Sequence, residues 1–154
     1  MELTPDTAEV YLRHAFSQML AVADRLGDDL VNRRPVGEST NAVAALIVHC
    51  CGVSEFWMGH VALGRPSQRD RDGEFSRTAT VAELHDLVGA TLASARRDLD
   101  ALEAGQGQDA GGRQFLPGAD VSDASVVLHV LEELYQHLGH MELTADVLLA
   151  RELR

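Results

Sequence analysis

Four side chains that could bind a metal ion share one stripe near the C-terminal end of this 154-residue chain. His129, Glu133 and His137 are spaced four residues apart, and His140 follows three residues later. On a helix, residues at these spacings lie on the same face, one turn after another. Glu133 and His137 could therefore both reach one divalent ion, because their Cβ atoms would lie ~6 Å apart.

A third ligand must come from a neighbouring helix, and His49 is the natural candidate because it projects from an apolar helical face. Two imidazoles and a carboxylate leave a coordination position open, which is typical of catalytic rather than structural sites. Spacing alone also allows the alternative that these side chains bind no metal. A lone histidine on an apolar face is often a hydrogen-bonded core residue, and Glu-x-x-x-His on a helix is often a surface pair. Zinc-protease signatures and a nucleophile triad are not recognisable, so no catalytic residue is assigned.

Four segments have the apolar period of a helix and begin at capping residues. They begin at Thr4-Pro5-Asp6, at Ser39-Thr40-Asn41, at the capping box Thr80-Val81-Ala82-Glu83 and at Ser122-Asp123. The second is expected to run to about Leu63. The long connections 65–79 and 105–121 are polar or glycine-rich, lack a period, and are candidates for covering a pocket. The pattern predicts an all-α fold, a four-helix bundle forming a single domain over residues 1–154.

Composition excludes several classes of function. A formal net charge of −11 argues against binding to nucleic acid, whose phosphates require a basic surface. No apolar run is expected to reach the ~18–20 residues of a membrane span, and the N-terminal region does not resemble a secretory signal.

Cys50 and Cys51 are adjacent, so they diverge by ~100° on a helix and cannot form a CxxC pair. We expect two reduced thiols, at least one of them in the core, and a cytoplasmic protein.

Two motifs resemble the DinB/YfiT-like superfamily of metal-binding helical bundles. Residues 129–140, HVLEELYQHLGH, are similar to the last helix of that superfamily. They look closest to the branch that contains the N-terminal part of mycothiol-dependent maleylpyruvate isomerase. Residues 46–57, LIVHCCGVSEFW, are similar to its second helix, where a histidine in an apolar turn precedes an acidic residue and a tryptophan. The resemblance covers most of the chain.

The resemblance implies a divalent metal, zinc or nickel, held by His49, Glu133 and His137. It also implies a low-molecular-weight thiol, such as mycothiol or bacillithiol, as cosubstrate. The ion would lower the pKa of the thiol, so that a thiolate exists at neutral pH and attacks an electrophile.

Four further side chains are expected around this centre. His129, one turn before the carboxylate, would line the pocket or orient Glu133. His140 would hydrogen-bond a ligand or be a satisfied polar residue. Trp57 and His60 would lie near the pocket on the second helix.

Two functions from different classes remain open. The chain ends with the fourth helix where the isomerase continues, and Cys50-Cys51 replaces the usual apolar pair, so isomerase activity itself is not expected. The first function is a metal-dependent thiol S-transferase that acts on an electrophilic small molecule. The second is a non-catalytic, stress-associated metal-binding bundle. The resemblance further predicts a homodimer.

Overall fold

The computed structural model of this protein describes residues 3–108, 117–118 and 122–153. Within these ranges every regular element is helical, so the predicted all-α fold is confirmed. In chain order the elements are α1 (Pro5–Leu30), α2 (Val43–Ser54), a π-helix (Glu55–Ala62), α3 (Arg71–Glu74), α4 (Val81–Glu103) and α5 (Asp123–Glu152).

The long helices pack as a bundle around one apolar core. Helix α1 packs against α4 and α5, and α2 with its π-helical extension packs against the same two helices. Each helix turns its apolar stripe inward, as amphipathic helices do. The largest side chains that are fully buried include Phe16, Met19, Leu46, Met58, Leu84, Leu134 and Met141. Helix α5 therefore carries two stripes, one in the core and the His/Glu stripe along its margin.

Three of the four predicted helix starts are confirmed. The side chains of Thr4, Thr80 and Ser122 each accept a hydrogen bond from a backbone N–H three residues further on. At Thr80 the capping box is complete, because the Glu83 carboxylate also accepts from the Thr80 backbone N–H. These bonds satisfy amide groups that have no partner within the helix.

The predicted start of the second helix is wrong. Its N-cap is Ala42, which makes no side-chain capping bond, rather than residues 39–41. The Thr40 hydroxyl instead accepts from the Val36 backbone N–H and donates to the Gly37 carbonyl. The side chain that was expected to cap the helix therefore closes the preceding turn.

The second helix reaches Ala62 as predicted, but its last eight residues are a π-helix. A π-helix closes wider turns than an α-helix, so the α period does not predict which side chains face inward there. Met58 is fully buried, whereas Trp57 is only half-buried. The change of period turns the indole toward α5, where it contacts His129.

The connection between the π-helix and α4 contains regular structure that the sequence did not predict. Asp70 caps the four-residue helix α3 by accepting a hydrogen bond from the Gly73 backbone N–H. A helix of one turn is too short to show an apolar period. It packs against α2 and buries the side chain of Glu74. The second long connection, 105–121, lies mostly outside the described residues.

Residues Val43–Ala62 form one helical stretch of 20 residues, which contains an 18-residue window with a mean hydropathy of 1.2. By length and composition this stretch is apolar enough to cross a membrane, which the sequence pattern did not anticipate. About two thirds of that window, 67%, is buried inside the bundle, as in the core helix of a globular fold.

Candidate metal centre

Three side chains from two helices meet between α2 and α5. One possible ligand atom from each of His49, Glu133 and His137 lies within 4.8 Å of those of the other two. The rings of His49 and His137 meet edge to face, with centroids 4.8 Å apart and planes at 81°. The structure thus brings together the residues that were singled out as candidate ligands.

The donor set and its spacing fit a transition-metal ion. Nε2 of His137 and Oε2 of Glu133 are 3.5 Å apart. Two ligands at ~2.0–2.2 Å from a tetrahedral ion lie ~3.4 Å from each other, so this pair already has the required separation. Two imidazoles with one carboxylate suit zinc or nickel better than magnesium or calcium, which prefer oxygen ligands.

The group is closed on one side and open on the other. His49 is buried, with 3% of its surface exposed. Glu133 and His137 retain 31% and 22% of their side-chain exposure. A small molecule could therefore approach from the α5 side, while α2 supplies a fixed back wall.

The ring of His49 is held by a carboxylate on its far side. Nδ1 of His49 lies 2.8 Å from Oε2 of Glu74, which is itself buried. An ionised carboxylate can only accept, so the proton is assigned to Nδ1 and the Nε2 lone pair is left for an ion. A carboxylate behind a metal-binding histidine commonly fixes its tautomer in this way.

Glu74 is in turn held by the guanidinium of Arg69. The Arg69 Nε donates to Oε1 at 2.7 Å and Nη2 donates to Oε2 at 2.9 Å, a bidentate pair. Gly52 leaves the room for this pair, since a Cβ there would lie 2.2 Å from Oε1 of Glu74.

Neither Arg69 nor Glu74 was predicted from the sequence. The one available signal was Gly52, a glycine inside a helix on the face of His49, which suggests a close approach.

Burial lowers the pKa of His137, and the neighbouring His49 ring lowers it further, whereas the Glu133 carboxylate acts in the opposite direction. The imidazole is therefore neutral at neutral pH, which is the form that coordinates a metal.

We expect the metal-free protein to show this shift directly. In an NMR titration the His137 midpoint should lie below ~6.5, the ordinary histidine value. The Glu133→Gln variant should lower it further, because that change removes the carboxylate that favours the charged ring. Because the pKa of His137 is lower in the folded protein than in the unfolded chain, protons bind preferentially to the unfolded chain. The free energy of unfolding is therefore fully retained above the unfolded pKa of His137 and decreases as the pH falls through the folded pKa. A midpoint above 6.5 in the unmodified protein would contradict this assignment.

Of the other predicted residues, His129 lies beside Glu133, and Trp57 packs on His129. His129 places Nε2 3.9 Å from Oε1 of Glu133, while its Nδ1 lies 3.1 Å from Oε2 of Glu132. The indole of Trp57 meets the His129 ring edge to face at 4.7 Å. His129 and Trp57 therefore form one wall beside the carboxylate.

The remaining two histidines lie outside the three-residue group. His140 is exposed, and its ring stacks at 6.3 Å on the solvent side of His137. Nδ1 of His60 lies 2.6 Å from the backbone carbonyl oxygen of Arg65, at the end of the π-helix. The structure therefore gives His60 a local partner in the chain that follows it.

The two cysteines are free and buried, as expected for reduced thiols. Burial raises the pKa of Cys50 well above its ordinary value, with a further contribution from the adjacent Cys51. Burial also raises the pKa of Cys51, to about 12. Neither thiol ionises near neutral pH, and the thiolate is the nucleophilic form, so neither is suited to attack a substrate.

The fold and the site together define a class: a helical bundle with a His/Glu/His group between two of its helices. The family model described as mycothiol-S-transferase matches residues 7–148, which is most of the chain. The chain therefore belongs to the mycothiol S-transferase family, and the predicted relation to the DinB-like superfamily is confirmed. No curated protein and no solved structure matches it.

Proposed function

We propose that this protein is a metal-dependent S-transferase that joins a mycothiol-like thiol to an electrophilic small molecule. Zinc or nickel would be held by His49, Glu133 and His137. The observation that carries the proposal is the convergence of these three ligand atoms within 4.8 Å in a member of the mycothiol S-transferase family.

The charge of the ligand group suits thiol activation. Glu133 contributes one negative charge and the two histidines are neutral as ligands. A divalent ion in this group would keep a net positive charge and would lower the pKa of a coordinating thiol from ~8.5 toward neutrality.

The thiol that reacts is proposed to come from the cosubstrate rather than from the chain. Cys50 and Cys51 are buried, and the pKa of each is raised, so they stay protonated. In the transfer, the cosubstrate sulfur loses its proton to solvent and supplies the electron pair of a new carbon–sulfur bond. The electrophile gives up a leaving group with its bonding pair, or accepts a proton after addition.

Aromatic side chains form the walls of the proposed pocket. The Phe75 ring lies 4.6 Å from the His49 ring, and Trp57 lies against His129 on the other flank. Such walls limit the access of water to a thiolate and favour an apolar body on the electrophile.

Cobalt substitution tests the proposal, because a thiolate bound to cobalt gives a charge-transfer absorption band. We expect the cobalt-loaded protein to gain this band when mycothiol, or N-acetylcysteine as its simpler analogue, is added at neutral pH. The His137→Ala variant treated in the same way should gain none. A cobalt spectrum that is unchanged by either thiol would favour the non-catalytic metal-binding function, in which the ion is coordinatively closed.

A homodimer in the cytoplasm is part of the same proposal, motivated by the family resemblance and by the two free thiols. Sedimentation velocity should give the mass of a dimer; a monomer at high concentration would remove this part alone.

A further inference from the structure

We infer that Glu74 is a positioning residue of the candidate metal centre, which sets the tautomer and the orientation of His49 and is itself held in place by Arg69. The inference rests on the proposed metal centre. It assigns a role to α3, a segment in which the sequence showed no functional residue.

The first support is the direction of the hydrogen bonds. Glu74 faces Nδ1 of His49 at 2.8 Å, on the side of the ring away from the nitrogen proposed to bind the ion. Nη2 of Arg69 also lies 3.3 Å from Nδ1, but it donates to Oε2 of Glu74 at the shorter distance of 2.9 Å, so the carboxylate is the partner of Nδ1. With Nδ1–H donating to this carboxylate, the neutral ring has its lone pair on Nε2. An uncharged partner such as an amide could either accept from Nδ1 or donate to it, and would not select one tautomer.

The second support is the burial of the pair. The side chains of Arg69 and Glu74 are 11% and 9% exposed. A buried ion pair is weak evidence for stabilisation, because desolvation offsets much of the attraction between the charges. A buried pair whose carboxylate also bonds Nδ1 of a candidate ligand has a specific use: Arg69 fixes the position of the Glu74 carboxylate behind the ring through two hydrogen bonds.

The third support is the close packing of this segment against α2. Gly52, one turn after His49, leaves the space that Oε1 of Glu74 occupies. The neighbouring Phe75 packs on the His49 ring at 4.6 Å. The guanidinium of Arg69 also lies 5.5 Å above the Phe56 ring centroid, so it is fixed on a second side. The His49 ring is thus contacted by Glu74 at the end of α3 and by Phe75 directly after it.

The test compares the full-length protein with its Glu74→Gln variant, which preserves side-chain shape and removes the charge. In the metal-free state, ¹⁵N-detected histidine spectra should show His49 protonated on Nδ1 in the unmodified protein. They should show a mixture of tautomers in Glu74→Gln. Zinc affinity, measured by competition with a chelator, should fall ~10–100-fold in the variant, as is usual when a group that orients a ligand is removed.

Asp98→Asn is the matched control. Asp98 is also a buried carboxylate, and it pairs with Arg65 of the same connection. Its carboxylate lies on α4 and is bound by Arg65, so its change should lower stability without altering the His49 tautomer or zinc affinity. If Glu74→Gln fails to fold, Gly52→Ala provides a second route, because its methyl group would displace the Glu74 carboxylate without removing any proposed ligand.

The outcomes separate this inference from the proposed function. Unmodified protein that binds no metal would overturn the proposed centre together with the role given to Glu74. Unmodified protein that binds zinc, with Glu74→Gln equal to it in both affinity and tautomer, would overturn the positioning role alone. Loss of affinity in Asp98→Asn as large as in Glu74→Gln would also overturn it, since general destabilisation would then account for the effect.

Discussion

Replacing His49, Glu133 or His137 by alanine is expected to abolish stoichiometric metal binding. Each variant would leave two protein ligands where the proposed centre has three, because one of the three ligand atoms that converge within 4.8 Å would be removed. Metal analysis of purified protein after dialysis against zinc should give about one ion per chain for the unmodified protein and close to none for these variants.

His129→Ala and His140→Ala are the controls from the same helical stripe. His129 lies 3.9 Å from Glu133 and His140 stacks beside His137, so both should support the ligands without binding the ion. Their removal should weaken metal affinity only ~10–100-fold. If His140→Ala empties the site while Glu133→Ala leaves it filled, the carboxylate has been wrongly chosen as a ligand.

The largest effect on stability is expected from Leu134→Ala in α5. Leu134 is fully buried and follows Glu133 directly, so its side chain anchors the part of α5 that bears the candidate ligands. Removing it leaves a cavity, and such changes cost ~2–5 kcal/mol of unfolding free energy. Urea denaturation of the metal-free protein measures this loss without a contribution from the ion.

Leu128→Ala is the matched control, because Leu128 lies on the same helix and is 55% exposed. Its effect should stay within ~0.5 kcal/mol of the unmodified protein. Equal losses from the two variants would show that the core stripe of α5 has been placed on the wrong face.

The ligand group could be predicted from the sequence because two independent regularities define it. Glu133 and His137 are one helical turn apart, so any helix through this segment places them together. The position of His49 follows from burial, because an apolar face must turn toward the core and carries the histidine with it. Local periodicity and the requirement for one shared core predict that these three residues lie close together, whereas the choice of Glu133 rather than His140 as a candidate ligand rested on the family resemblance.

The partners of His49 could not be predicted, because they depend on the path of an irregular connection. Arg69 and Glu74 lie in a stretch whose single helical turn has no period, and their contact with α2 spans 20 to 25 residues of sequence. The π-helix could not be predicted either, because its period differs from the α-helical period used to interpret the sequence. Its wider turns bury Met58 and leave Trp57 half-buried, whereas an α period favours the tryptophan as the inward residue.

X-ray absorption spectroscopy of the zinc-loaded protein, before and after addition of mycothiol, should detect the proposed bond between the ion and the sulfur of the thiol. Before the thiol is added, we expect only nitrogen and oxygen neighbours at ~2.0–2.2 Å, because the proposed ligands are two histidines and a glutamate. After the addition, we expect one sulfur neighbour at ~2.3 Å. Sulfur around the ion before any thiol is added would place Cys50 or Cys51 among the ligands. The absence of sulfur after the addition would contradict activation of the thiol by the metal.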